Sequence, residues 1–97
     1  MKLEIDRTLV CTTAHLTEED NQALFYETTG LVVYEMGEYG WMVLARPVNP
    51  DASPDSVDRQ HSDNLERLLQ FARDRDCEWV RFDRDASEIE GLQTFNW

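Results

Sequence analysis

LVVYEMGEYGWMVLA, residues 31–45, is the stretch whose reading decides the fold of this chain. It opens with Val32, Val33 and Tyr34, breaks at Gly37, and resumes as Tyr39, Trp41, Met42, Val43 and Leu44. Two apolar runs separated by a short glycine-containing break predict an antiparallel hairpin, with strands over about 31–36 and 39–46. Alternate strand residues face opposite sides, so Val32, Tyr34 and Met36 share one face while Val33 and Glu35 share the other. The second run is apolar on both faces, as in a central, covered strand. The flanking helices have to supply that cover.

Working outward toward the N-terminus, Leu3 to Cys11 predicts a first strand, with Asp6-Arg7 marking a bulge or a late start. Thr17, followed by Glu18, Glu19 and Asp20, has the form of a capping-box start, and acids in the first turn suit the helix dipole. A helix over about 17–28 follows, with Ala23 and Leu24 turned inward and Phe25 beside them. Gly30 is placed to take the left-handed conformation that ends it.

Toward the C-terminus, Arg46-Pro47 stops the hairpin, and PVNPDASPDS over 47–56 predicts a loop. Ser53-Pro54 and Ser62-Asp63 both offer a start for the next helix. From Asn64 the pattern is clean. Leu65, Leu68, Leu69 and Ala72 recur at i, i+3, i+4 and i+7, one face of a helix running to about Asp74. Cys77 to Phe82 alternates apolar and charged residues, a half-buried strand. Leu92 to Trp97 is either a short edge strand or a tail packing Phe95 and Trp97 onto the core. The order β-α-β-β-α-β predicts an α+β fold, ferredoxin-like or a similar two-layer sandwich, with an antiparallel sheet and two helices on one face.

The 97 residues form one domain, 1–97, and 41% hydrophobic content is enough for a real core. No apolar run is long enough for a membrane helix, and MKLEIDR lacks a signal-peptide h-region. A cytoplasmic protein without a membrane partner is expected. In that compartment Cys11 and Cys77 are expected to be buried free thiols.

Twenty acids against nine bases give a net charge of −11. Residues 1–50 hold eight acids and three bases, and residues 51–97 hold twelve and six, so the excess is spread along the chain. The only lysine is Lys2. Such a chain repels phosphate backbones, which argues against direct nucleic-acid binding. High Asp and Glu with almost no Lys also fits adaptation to salt, or a genome that prefers arginine.

Cys11 and His15 could pair as nucleophile and base, or join a zinc site, but neither a CxxC nor an HxxxH accompanies them. His15 precedes a helix start, where it could serve a functional loop or simply orient the turn. Glu18, Glu19 and Asp20 could face a cation, and Asp83 and Asp85 could hold a metal, but helix capping accounts better for the first group, and the second lacks the glycine and terminal glutamate of a calcium loop, so a solvated turn is the better reading. Glu38, Tyr39 and Trp41, beside a hairpin tip, are candidate interface anchors, against simple core packing. No phosphate-cradling glycine loop, GxSxG or HExxH is present. Neither a cofactor nor catalytic residues are expected.

CTTAHLT (11–17), YGWMV (39–43) and CEWVRFDRDA (77–86), running on to a closing Trp97, together resemble a family of small, functionally uncharacterised bacterial proteins carried on plasmids, phages and other mobile elements. The resemblance implies a bacterial mobile-element context and supplies no catalytic residue. The first expectation is therefore a non-catalytic, acidic protein-binding module, candidate nucleic-acid mimic and anti-defence protein, which occupies the basic surface of a nucleic-acid-binding host or defence protein. The alternatives are a self-associating accessory domain, acting as a homodimer, and a small Cys/His enzyme.

Overall fold

The structure, a computed structural model, describes residues 5–45 and 60–96. The chain forms β1 (Thr8–Cys11), a 3-10 turn (Thr13–His15), α1 (Glu18–Phe25), β2 (Val33–Glu35), a second 3-10 turn (Gly37–Tyr39), β3 (Gly40–Leu44), α2 (Asp63–Arg73) and β4 (Trp79–Asp83). The expected element order and the two-layer α+β class stand. The loop expected at 47–56, the Ser53-Pro54 start and Trp97 lie outside the described residues. The helix uses the other start: Ser62 Oγ accepts the Leu65 N–H at 3.0 Å.

The sheet has the order β1-β4-β3-β2 and is mixed, not wholly antiparallel. β1 pairs with β4 in parallel, while β4 with β3 and β3 with β2 are antiparallel. A ferredoxin-like sheet keeps every neighbouring pair antiparallel, so this is one of the similar sandwiches. α2 carries the chain from β3 to its immediate neighbour β4. That leaves β4, whose Val80 and Phe82 are fully buried, inside the sheet, and β1, with Val10 exposed, at its edge.

The register sorts the side chains into two faces. Cys11, Phe82 and Trp41 form one inward row, which ends at the exposed Glu35, and Leu9, Val80, Val43 and Val33 form the next. Leu24 of α1 and Leu65, Leu68, Leu69 and Ala72 of α2 join these residues in one core, so both helices cover the same face. On the other face Val10, Arg81, Met42 and Tyr34 form a row, with Thr8, Trp79 and Leu44 beside them. Met42 and Leu44 are only half-buried there, which is less cover than an apolar pattern on both faces implied. Tyr34 and Trp79 touch across this face, ring centroids 5.8 Å apart.

Both helices end on an acid in the left-handed conformation. α1 stops at Phe25, and Glu27 has φ 58°. The N–H of Thr28 reaches Ala23 O at 3.0 Å and that of Glu27 reaches Leu24 O at 3.4 Å, a Schellman closure three residues before the expected Gly30. α2 closes through Cys77 N–H to Ala72 O at 2.9 Å, with Asp76 at φ 59°. Arg73, in the last turn, donates from Nε to Ala45 O at the end of β3. Its Nη1 lies 2.9 Å from Glu66 Oε2, and His61 Nε2 lies 3.1 Å from Glu66 Oε1. Burial alone would raise the Glu66 carboxyl, but its hydrogen bonds to Arg73 and His61 outweigh this and hold it below the ordinary value of 4.5.

The described residues after β4, up to Asn96, form no strand and run as a tail along the loop between β1 and α1. Thr12 N–H donates to Ser87 O at 3.3 Å and Phe95 N–H to Ala14 O at 2.8 Å. Ile89 and Leu92 pack on the core.

Two stability predictions follow from the helix ends. Glu27→Gly removes the Cβ penalty of the left-handed position and is expected to raise unfolding stability by about 0.5–1 kcal/mol in urea titrations. Glu66 has a lowered native pKa, so its contribution is complete above about pH 4.5 and fades as pH falls through that lowered value. Glu66→Gln should cost a fraction of a kcal/mol at pH 7, the scale of a solvent-screened pair. The difference from wild type should shrink in melts taken below pH 4.5.

Candidate functional site

Gly40 positions the site. Its φ is 145°, and a Cβ built there would lie 1.9 Å from the Phe82 carbonyl oxygen, so only glycine lets β3 begin this close to β4. The hairpin tip is then pinned from both sides. Met36 N–H donates to Gly40 O at 3.0 Å, and Arg84 N–H donates to Tyr39 O at 2.8 Å. Glu38, Tyr39 and the turn after β4 are thereby gathered at one end of the sheet.

Across from the tip, Asn21 and Phe25 of α1 complete a cleft of about 320 Å3, with Glu35 and Trp41 between the two walls. Trp41 is 8% exposed and forms the floor. Its indole N–H donates to Asn21 Oδ1 at 2.9 Å, which ties the strand to the helix and leaves no donor on the ring. Phe25 and Tyr39 are 60% and 48% exposed at the rims. The Arg84 guanidinium stands at the mouth, 3.7 Å from Glu38 Oε1 and 5.2 Å from the centre of the Tyr39 ring. Glu18 lies three residues before Asn21 and so shares its face of α1.

The other sequence candidates separate into distinct roles. His15 is fully buried. Its Nδ1 faces Gln93 O at 2.8 Å and its Nε2 faces the Ile89 N–H at 2.9 Å. A proton on Nδ1 satisfies both contacts, so the ring clasps the C-terminal tail, the turn-orienting role. Cys11 is buried, and burial pushes its thiol up to about 12. With no accessible thiolate on one side and both ring nitrogens spent on backbone on the other, Cys11 and His15 are not arranged as nucleophile and base. Both cysteines are free and buried. Among the described residues no group of three or more His, Cys, Asp or Glu is placed to hold a metal.

Glu18, Glu19 and Asp20 do not act together. Glu18 and Glu19 are exposed, whereas Asp20 is 2% exposed. Its Oδ2 accepts from the Thr17 N–H at 3.2 Å and from Asn64 Nδ2 at 2.8 Å, and its Oδ1 accepts from Ser62 Oγ. Thr17 Oγ1 returns the capping box by accepting the Asp20 N–H at 3.0 Å. Because Ser62 also caps α2, one carboxylate joins the N-termini of both helices. Asp83 shapes its own turn, Oδ1 accepting the Asp85 N–H at 2.9 Å, and Asp85 projects to solvent. Of the candidates, Glu38, Tyr39 and Trp41 meet in the cleft.

Asn21, Phe25, Glu35 and Arg84 line it as well, and sequence reasoning missed them as site residues. The sequence pattern turns Phe25 inward with Ala23 and Leu24. It is exposed instead, because α1 is short and buries only Asp20 and Leu24. The i, i+4 spacing of Asn21 and Phe25 was the one available signal, since it sets both on one side of the helix.

The family model described as "Family of unknown function (DUF5983) C-terminal domain" matches residues 8–97. This chain belongs to the DUF5983 family. The match begins at Thr8, the first residue of β1, and takes in every strand and helix described above. No curated protein matches the chain, and no solved structure does. Among the described residues of this DUF5983 domain, no helix is long and apolar enough to cross a membrane.

Asp20→Ala should lower unfolding stability by about 2–4 kcal/mol, since it removes a capping acceptor and leaves the partly buried Ser62 and Asn64 donors without their acceptor. Urea denaturation monitored by far-ultraviolet circular dichroism measures this. A loss under about 1 kcal/mol would show that the two helix starts do not depend on the shared carboxylate.

Proposed function

We propose that this DUF5983 domain is a non-catalytic, acidic protein-binding module of a bacterial mobile element, which occupies the basic surface of a nucleic-acid-binding host or defence protein. The observation that carries this reading is the cleft end of the sheet. Glu35 and Glu38 line the cleft together with Arg84, whose guanidinium also approaches Asp85, and Asp83 lies opposite Gly40 at the same end of the sheet, beside exposed aromatic rims. Clustered carboxylates steer a basic partner, while exposed rings supply anchoring area. The acids are not uniformly phosphate-like elsewhere: at the end of α2, Asp74 and Asp76 alternate with Arg73 and Arg75. The contact surface is accordingly the cleft end rather than the whole molecule. The resemblance to proteins of plasmids and phages supports the mobile-element setting.

A second reading has its own support. Val10 and Tyr34 are exposed on the sheet face turned away from both helices, and such a face suits self-association in a homodimer. An accessory domain would work this way.

A tagged pull-down from nuclease-treated bacterial lysate separates the two. The first reading expects a nucleic-acid-binding protein that elutes at high salt, is displaced by added DNA, and is lost with the triple variant Glu38→Gln, Asp83→Asn, Asp85→Asn. Recovery of the chain alone, with a mass by light scattering that doubles with concentration and reverts in Tyr34→Lys, would replace it with the second.

A further inference from the structure

From the cleft between α1 and the hairpin tip we infer a receptor for one arginine side chain of a partner protein, with Arg84 standing at its mouth as an internal substitute. This rests on the protein-binding reading for its biological partner, and it names the group that the cleft would receive.

The lining selects a cation. The indole N–H on the floor is already spent on Asn21, whereas Glu35 and Glu38 contribute two carboxylates against the one cation Arg84, and Phe25 and Tyr39 contribute exposed rings. Anions would meet like charge at these walls; cations gain from both. Carboxylates beside exposed rings favour guanidinium over ammonium, because a planar fork can lie against a ring and still donate in parallel to a carboxylate. A volume of about 320 Å3 accommodates such a head group and part of its stem.

Arg84 shows that this chemistry works within the chain. Its guanidinium is drawn to both the Tyr39 ring and Glu38, yet at 5.2 Å and 3.7 Å it sits at the long end of each interaction. It stays half-exposed. Its backbone is fixed to Tyr39 O, so the side chain reaches the cleft from the edge and does not fill it. An arginine arriving from outside can approach Glu35 and Glu38 from the open side, displacing Arg84 toward Asp85, whose Oδ1 already lies 4.0 Å from Arg84 Nε. Arg84 therefore acts as a weak competitor that raises the threshold for occupancy.

The probe is N-acetyl-arginine amide, with N-acetyl-citrulline amide as the neutral isostere and N-acetyl-lysine amide as the ammonium comparison, titrated at constant ionic strength. The readout is the indole N–H resonance of Trp41 in proton–nitrogen spectra, assigned by its loss in Trp41→Phe. The arginine probe should shift this resonance and the Gly40 amide, and citrulline should not. Arg84→Ala should tighten binding about two- to fivefold, the scale of an exposed cation–π contact with a solvent-screened ion pair. The exposed double variant Glu35→Gln, Glu38→Gln should weaken it at least as much while retaining a dispersed spectrum. No shift in Arg84→Ala, or an equal response to citrulline or lysine, would overturn the inference.

Failure here is separable from failure of the broader reading. A lysate partner retained by Glu35→Gln, Glu38→Gln removes the arginine cleft and keeps the contact module. Selective arginine binding without any lysate partner does the reverse.

Discussion

A buried carboxylate governs the helical layer. Asp20 sits almost out of reach of water, where an unpaired charge is costly. It is tolerable because Thr17, Ser62 and Asn64 all donate to it. Those donors belong to two helices far apart in sequence, so satisfying one charge fixes where both begin. Asn64 adds a further link by donating to His15 O at 3.1 Å. The relative placement of α1 and α2 is thus set by directional bonds at their N-termini, and apolar packing along Leu24, Leu65 and Leu69 fills in behind them.

This arrangement has a consequence for the cleft. Asn21 follows Asp20 directly and holds the Trp41 indole. The wall of the cleft is therefore attached to the most strongly determined point of α1. Its opposite rim depends on a different constraint, the close approach of Gly40 to the Phe82 carbonyl. Rigid backbone on both sides, with variable charge and exposed rings on the surface, is how a small domain presents a recognition surface without a large core to brace it.

How much of this could be read in advance depended on whether the deciding interaction was local. The Leu65, Leu68, Leu69, Ala72 stripe is a local period, and α2 sits where it predicts. The hairpin was legible for the same reason, with Val33 inward and Tyr34 outward as alternation requires. The choice of strand neighbours was not, because pairing β1 with β4 in parallel is decided by residues separated by most of the chain. Glu18, Glu19 and Asp20 are three similar acids in a row; the capping-box spacing from Thr17 singles out the third, but its burial and its bonds to Ser62 and Asn64 depend on the distant α2. Gly30 carried the stronger propensity for a helix end, yet Glu27 takes that role. Thr29 is buried beyond it, with Oγ1 accepting the Leu31 N–H at 3.2 Å, so the chain has already left the helix. Glu38, Tyr39 and Trp41 were recognisable by type and position. Their companions from α1 and the turn after β4 come together only through tertiary contact.

The parallel pairing of the first and last strands also sets an order of events. Among the described residues Thr8 to Cys11 find their ladder partners in Trp79 to Phe82, and the His15 ring finds its own in Ile89 and Gln93. During synthesis β1 must therefore wait without its ladder partner, and the β1–α1 turn with only its local bonds, until nearly all of the domain has left the ribosome. Long-range closure of this kind is slow compared with forming the local hairpin. Until it happens the edge of β4, and the apolar row that β1 will cover, remain open to other chains. A heavily acidic chain repels its own copies during that interval, so the net charge has a use in folding whatever the finished domain binds.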